Sequence, residues 1–145
     1  MRSIVLLIVC FLFLNCTKSY FSDHFSVDNA WNKKTAAEFT FDIINDKIPY
    51  DLNIVLRNNN EYPYRNIYFF TELNGIKDTI QYELAEKDGY WKGTGMGETK
   101  ETYFSFKQKF LFPKIGKQTL KIYQGMRKDT LKGIEDISLI VNESK

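Results

Sequence analysis

Apolar side chains return at every second position along most of this chain, and that rhythm favours strands over helices. From Glu38 to Asp46, Phe39, Phe41 and Ile43 fall on one side, with Thr40 and Asp42 on the other. From Asp51 to Asn58 the alternation resumes, Leu52, Ile54 and Leu56 lying opposite Asn53 and Arg57. A period of two with one polar face marks a half-buried antiparallel strand. Related patterns occupy 66–74, 78–86, 101–112, 118–126 and 134–141, and no amphipathic helix of useful length interrupts them. Seven such segments predict an all-β fold: a single antiparallel sandwich, immunoglobulin-like or jelly-roll-like. The Cys–Trp–Cys landmarks of immunoglobulin domains are missing, and a barrel relative stays open.

Several details follow from local chemistry. Asn74-Gly75 is a two-residue hairpin signal, because both positions tolerate positive φ, so 66–86 reads as one hairpin. The piece NIYFFTEL within it is apolar on both faces, which predicts a central strand. Phe104 and Phe106 are expected to pair with Leu120 and Ile122 across the turn at Pro113–Gly116. Arg127–Gly133 reads as a connector with room for one helical turn. Trp31 is expected to cover an end of the core.

The first sixteen residues, MRSIVLLIVCFLFLNC, obey a different logic. Arg2 precedes an apolar run from Ile4 to Leu14, and a cysteine follows. A membrane-spanning helix needs about 20 apolar residues, so this run is too short to span and reads as an export signal that is then removed. Leu14-Asn15-Cys16 opening into Thr17-Lys18-Ser19 resembles a bacterial lipoprotein processing box, in which the cysteine thiol receives the lipid. Asn15 departs from the usual small residue, a departure seen in Bacteroidetes-type lipoproteins. An ordinary secretory signal with an incidental cysteine is the alternative. The expected organisation is a signal at 1–15, a lipidated N-terminus and tether at 16–34 with a short strand about Tyr20–Val27, and a sandwich at 35–145. Acyl chains on Cys16 would hold the protein to a membrane.

The remaining composition excludes several chemistries. Lys and Arg number 20 against 18 Asp and Glu, which offers no basic excess for nucleic acid. The only cysteines are Cys10, inside the signal, and Cys16, so no disulfide is available after processing. The single histidine, His24, lies in the tether segment and lacks the setting of a catalytic triad. His and Cys are too few for a metal cluster. Asp42, Asp46, Asp51, Glu72, Asp78 and Asp136 read as solvent-side or turn residues, and no motif selects a hydrolytic pair among them. Trp91–Gly97 imitates a phosphate cradle, but a strand pattern follows where a helix is required, so a mobile hairpin or crossover loop fits better. No catalytic residue, cofactor, metal or small-molecule substrate is therefore expected.

Three residues stand out as candidate partner contacts. Tyr90 and Trp91 are aromatics on a glycine-rich loop, a setting that favours contact with other molecules. Arg127 follows Gly125, whose place at a strand end predicts a bulge or a close backbone approach. The structural alternative for Arg127 is an ion pair with Asp129 or Asp136.

Taken together, the pieces resemble the GldH family of gliding-motility lipoproteins of Bacteroidetes. The resemblance rests on Cys16, Trp31, Phe39–Ile43, Pro49-Tyr50 leading into Leu52–Arg57, and Tyr62-Pro63-Tyr64. It continues through Asp78-Thr79-Ile80, Leu84-Ala85, Gly89, Trp91, Gly93, Gly95 and Gly97 to Gln124–Arg127, Leu131, Gly133-Ile134 and Asp136. It implies a non-enzymatic lipoprotein serving gliding and the associated type IX secretion and adhesin machinery, with other envelope proteins of that machinery as partners. It assigns no site residue beyond the lipidated cysteine. Surface-exported lipoproteins of the phylum carry acidic residues soon after that cysteine. Thr17-Lys18-Ser19-Tyr20 has none, which implies the periplasmic face of the outer membrane. A carbohydrate-binding envelope lipoprotein is the alternative, motivated by the 16% aromatic content. A carboxylate hydrolase is the third reading.

Overall fold

A computed structural model describes residues 20–145, and all ten of its elements are strands. The export signal and Cys16 lie outside the described residues. The strands are β1 (Phe21–Ser26), β2 (Ala30–Asn32), β3 (Ala37–Ile43), β4 (Tyr50–Asn58) and β5 (Asn66–Leu73). They continue as β6 (Ile76–Glu83), β7 (Lys100–Phe110), β8 (Gly116–Gln124), β9 (Thr130–Lys132) and β10 (Ile134–Glu143). One four-stranded sheet has the order β1-β10-β4-β7, the other β3-β8-β5-β6, and β2-β9 forms a small ribbon. Every pairing is antiparallel.

The alternation in the sequence sets which side chains meet between the sheets. Ala37, Phe39, Phe41 and Ile43 of β3 are buried, as are Leu52, Ile54 and Leu56 of β4 and Ile137, Leu139 and Val141 of β10. Trp31 is buried as expected, its ring 6.0 Å from that of Phe69 and its Nε1 donating to the Thr35 carbonyl at 2.9 Å.

The two sheets remain separate hydrogen-bonded units, which decides for a sandwich over a barrel. Side chains close the long sides. Along β6 and β7, the Tyr82 ring stacks on Phe104 at 4.1 Å and its hydroxyl donates to the Ser105 carbonyl at 2.9 Å. Burial pushes that phenol up to about 12. Along β1 and β3, Phe21 lies 5.4 Å from Phe41, and the Tyr20 hydroxyl donates to the Asp42 carbonyl at 2.9 Å.

Four expectations are corrected. Residues 21–32 belong to the folded body, because β1 pairs with β10 and β2 with β9, so His24 sits exposed on an edge strand opposite Ser138. Strands β7 and β8 are not neighbours: β7 pairs with β4, while β8 already has β3 on one side and β5 on the other. The buried ring of Phe112 pins the crossing between sheets, edge-on to Phe41, Tyr50 and Phe110. The segment 127–133 holds no helical turn, because Leu131 is buried opposite Trp31 in the ribbon. Asp136 is buried rather than solvent-side, and Arg57 across the ladder donates to it from Nε at 2.7 Å.

The loops divide between the two ends of the sandwich. Chain entry at Tyr20, the β3–β4 and β7–β8 loops, the β5–β6 turn and the C-terminus share one end. The β4–β5 loop, the glycine-rich loop, and the turns before β2, β9 and β10 share the other. Nine-residue β4 runs the full length, which separates the ends by about 30 Å.

Candidate functional site

Strand β5 builds the most unusual surface on the molecule. Its inward residues Ile67, Phe69, Thr71 and Leu73 are buried, and it is an interior strand of its sheet, as its composition predicts. Among the described residues, however, no layer covers its outer aromatics: Tyr68 is exposed and Phe70 is 50% exposed. Large aromatics held outward on a rigid sheet are a known style of contact anchor.

These rings border a cleft of about 520 Å³ lined by Tyr64, Tyr68, Phe70, Gly125, Met126 and Arg127. A shallower hollow of about 710 Å³ on the other side of Phe70 is lined by Lys33, Glu72, Lys77 and Tyr123 among others. Phe70 therefore stands as a ridge between two depressions.

Close backbone approach at Gly125 shapes the cleft. The Gly125 amide donates to the Tyr68 carbonyl at 2.7 Å. A Cβ at this position would lie 3.1 Å from the Tyr68 Cβ and 3.3 Å from the Phe70 ring. The close approach expected from the sequence is found here, and the glycine lets the chain run against β5. The next residue, Met126, brings its Sδ within 3.4 Å of the Tyr68 amide, and a thioether of this kind adapts to irregular apolar partners.

Arg127 is exposed at the rim of this cleft. Neither carboxylate considered for it is its partner: Asp129 pairs with Lys33, and Asp136 pairs with Arg57. Asp129 is held below the ordinary carboxylate range, first by its hydrogen bond from Lys33 and then by that ammonium's charge.

Trp91 and Tyr90 behave differently from each other. Trp91 is half-buried and clipped into the end of the sandwich, its Nε1 donating to Asn60 Oδ1 at 3.1 Å and its ring 6.4 Å from Tyr62. Tyr90, beside it, is 76% exposed. Tyr62 in turn lies 5.8 Å from Tyr64, a wall of the cleft. Trp91 and Arg127 are thus linked through the tyrosines of the β4–β5 loop. The Tyr62 hydroxyl donates to the Asn66 carbonyl at 2.7 Å, and its pKa is raised, first by burial and then by Tyr64.

The glycine-rich loop is tied down, not loose. Lys100 Nζ donates to the carbonyls of Gly95 at 2.7 Å and Gly97 at 3.0 Å, and Thr94 bridges to Glu101. Asn29, at φ 61°, holds the neighbouring loops: its Nδ2 donates to Glu61 at 2.6 Å, and its Oδ1 accepts from the Gly133 amide at 2.8 Å.

Of the residues singled out in the sequence, Gly125 and Arg127 line this cleft and Tyr90 and Trp91 do not, while its other lining residues, Tyr64, Tyr68, Phe70 and Met126, are not expected as contacts from the sequence. The signal for Tyr68 and Phe70 lies in the doubly apolar strand, a pattern that reads as burial on both faces. Among the described residues, no carboxylate, serine, threonine, cysteine or histidine lines the cleft, and its hydroxyls are the phenols of Tyr64 and Tyr68. The lining offers ring faces, a thioether and one guanidinium able to meet a carboxylate or carbonyl. Among the described residues, no group of three or more His, Cys, Asp or Glu is placed to hold a metal ion.

Known proteins resemble this chain along most of its length. The family model for the GldH lipoprotein matches residues 19–141. The gliding motility lipoprotein GldH homolog of Christiangramia forsetii is 33% identical over 145 residues, covering 92% of this chain and 90% of that protein. The gliding motility lipoprotein GldH of Flavobacterium johnsoniae is 28% identical, covering 96% and 94%. Among solved structures, a CBM35 domain from Cellvibrio japonicus Abf62 is 17% identical with a TM-score of 0.37, covering 90% of this chain and 83% of that one. That likeness is too loose to speak to a ligand. With the family model spanning nearly the whole described sandwich, the chain belongs to the GldH lipoprotein family.

Proposed function

We propose that this protein is a non-catalytic gliding-motility lipoprotein, anchored through Cys16 to the periplasmic face of the outer membrane. Its role is to support the assembly or stability of the gliding apparatus and the associated type IX secretion and adhesin machinery. The observation that carries this reading is the aromatic cleft beside Phe70 and Arg127, an exposed surface of rings, a thioether and a guanidinium with no carboxylate or histidine among its lining residues. The names of the relatives in C. forsetii and F. johnsoniae support the cellular role. The lipoprotein family supports the membrane anchor.

The test is complementation of a gene deletion, read by colony spreading and by adhesin export. The wild-type gene restores both, and Cys16→Ala does not. Phe70→Ala with Arg127→Ala leaves the protein folded and lipidated but loses function together with an envelope protein that co-purifies with the wild type. Normal spreading and export in the deletion strain would reject the reading.

The exposed rings of Tyr68 and Phe70 also favour a second reading, a carbohydrate platform. Trp91 contributes little to it, because Asn60 and Tyr62 already engage its indole. Envelope glycans that raise the melting temperature of the wild type but not of Tyr68→Ala would favour this reading over a protein partner.

A further inference from the structure

The exposed isoleucines and leucines gather at one end of the sandwich, whereas exposed Tyr90 and Met96 lie at the other and Tyr68, Phe70 and Tyr103 on strand faces. Every isoleucine or leucine classed as exposed among the described residues, Ile44, Ile76, Leu111 and Ile115, lies at the chain-entry end and leaves more than half of its surface to solvent. Their grouping follows from register. Ile43 is the ladder partner of Gly116, so the next residues outward, Ile44 and Ile115, emerge side by side. Leu111 follows Phe110, whose partner Tyr50 begins β4 at the same end. The Tyr20 hydroxyl accepts the Ile44 amide at 3.2 Å, which fixes the chain entry beside this group.

We infer that this end of the sandwich rests on the bilayer, with Ile44, Leu111 and Ile115 as shallow wedges among the lipid headgroups. The inference relies on the anchoring of Cys16. Four peptide units separate Cys16 from Tyr20, and fully extended they reach about 14 Å. One headgroup layer is about 5–8 Å thick, so the tether keeps Tyr20 within about 10 Å of its outer edge, and the exposed side chains decide whether this end sits down into it. Exposed aliphatic side chains are poorer protein hot spots than aromatic ones but partition readily into the headgroup and acyl boundary. Charge does not decide the matter: Lys47, Lys114 and Lys117 share this end with Asp42, Asp46 and Glu143. The contact therefore survives high salt and does not need anionic lipid.

The test uses the lipidated full chain in phosphatidylethanolamine–phosphatidylglycerol vesicles. An environment-sensitive fluorophore is placed by Lys114→Cys or, as a far-end control, by Tyr90→Cys; intact mass confirms acylation of Cys16 in each sample. A bilayer-borne quencher is expected to quench the label at 114 several-fold more strongly than the label at 90, with little change in high salt. The triple variant Ile44→Ser, Leu111→Ser, Ile115→Ser removes most of that difference without disturbing the buried core. Equal quenching of the two labels on acylated protein overturns the inference and leaves the anchor standing. Unchanged quenching in the triple variant also overturns it, because proximity alone would then explain the signal. A chain without the acyl mass overturns the anchor and the inference with it.

Discussion

Gly133 is the tightest point in the wall that supports the cleft, and replacing it separates two physical effects. Its φ is 81°, in the region that suits glycine, and a Cβ there would lie 2.0 Å from the Tyr62 amide nitrogen and 2.3 Å from its Cα. Ordinary contact needs about 1.4 Å more room, and both obstacles are backbone. Two other glycines carry one effect each. Gly75, at φ 85°, has nothing within 4 Å of where a Cβ would sit, so Gly75→Ala bears only the left-handed backbone cost of about 1–2 kcal/mol. Gly125 has no positive φ and contacts of 3.1–3.3 Å, so Gly125→Ala bears only crowding. Gly133→Ala bears both, and it displaces Tyr62. That shift breaks a buried hydroxyl bond to Asn66 and loosens two ring contacts, at roughly 1 kcal/mol each. The expected cost is about 4 kcal/mol, against about 1 for Gly75→Ala. Urea unfolding followed by tryptophan fluorescence measures both, since Trp31 is buried and Trp91 reports on Tyr62 directly. Equal destabilisation by Gly133→Ala and Gly75→Ala would refute the reasoning.

Two further outcomes follow from the ionic contacts. Asp51 accepts from the Ser144 hydroxyl at 2.6 Å and the Lys109 amide at 2.8 Å, and its pKa is lowered, with the Ser144 bond the largest cause. A depressed folded pKa contributes stability that is fully present above the ordinary value near 3.8 and is lost as pH falls through the folded value. The Tm gap between wild type and Asp51→Asn should therefore be open at neutral pH and closed in strong acid; a gap constant with pH would contradict this. In the Arg57–Asp136 pair only the carboxylate is buried. Arg57→Ala strands that charge and should cost about 3 kcal/mol, whereas Asp136→Ala frees a half-exposed guanidinium to solvent and should cost about 1. Denaturant midpoints showing the reverse order would contradict the account.

Periodicity reports which face a residue takes, and in this chain it reports little about neighbours. The pattern over 51–58 corresponds to β4 (Tyr50–Asn58), and that over 134–141 to β10 (Ile134–Glu143), because burial of one face dictates the alternation directly. Phe104 and Leu120 both point inward, as their alternation predicts, yet their strands belong to opposite sheets, since two facing strands and two adjacent strands alternate alike. The three-residue β2 and β9 are too short to show a period at all. The cleft is partly legible for the same reason. Gly125 and Arg127 announce themselves by residue type, whereas Tyr68 and Phe70 look like core until the absence of a covering layer is seen.

If the cleft binds a partner as proposed, the far end gives it a surface held ready in advance. Its loops are held by backbone and side-chain bonds that converge on Asn29, Asn59 and Glu135: Asn59 Nδ2 donates to Asn29 at 3.2 Å and to Glu135 at 3.3 Å, and Thr99 donates to Glu135 at 2.8 Å. Ordering a loose loop on binding costs free energy that a bonded loop has already met in folding. The Phe70 ridge adds to this, because it sits on a strand whose register is set from both sides, opposite Tyr123 and Thr79. A partner therefore meets a surface whose shape is set before contact. Asn29→Ala tests that idea through the residue that holds Gly133 in place. Binding should weaken mainly through a slower association or a larger entropic penalty, while Phe70→Ala should mainly speed dissociation. Identical kinetic signatures for the two variants would mean that the loops are not what holds the surface ready.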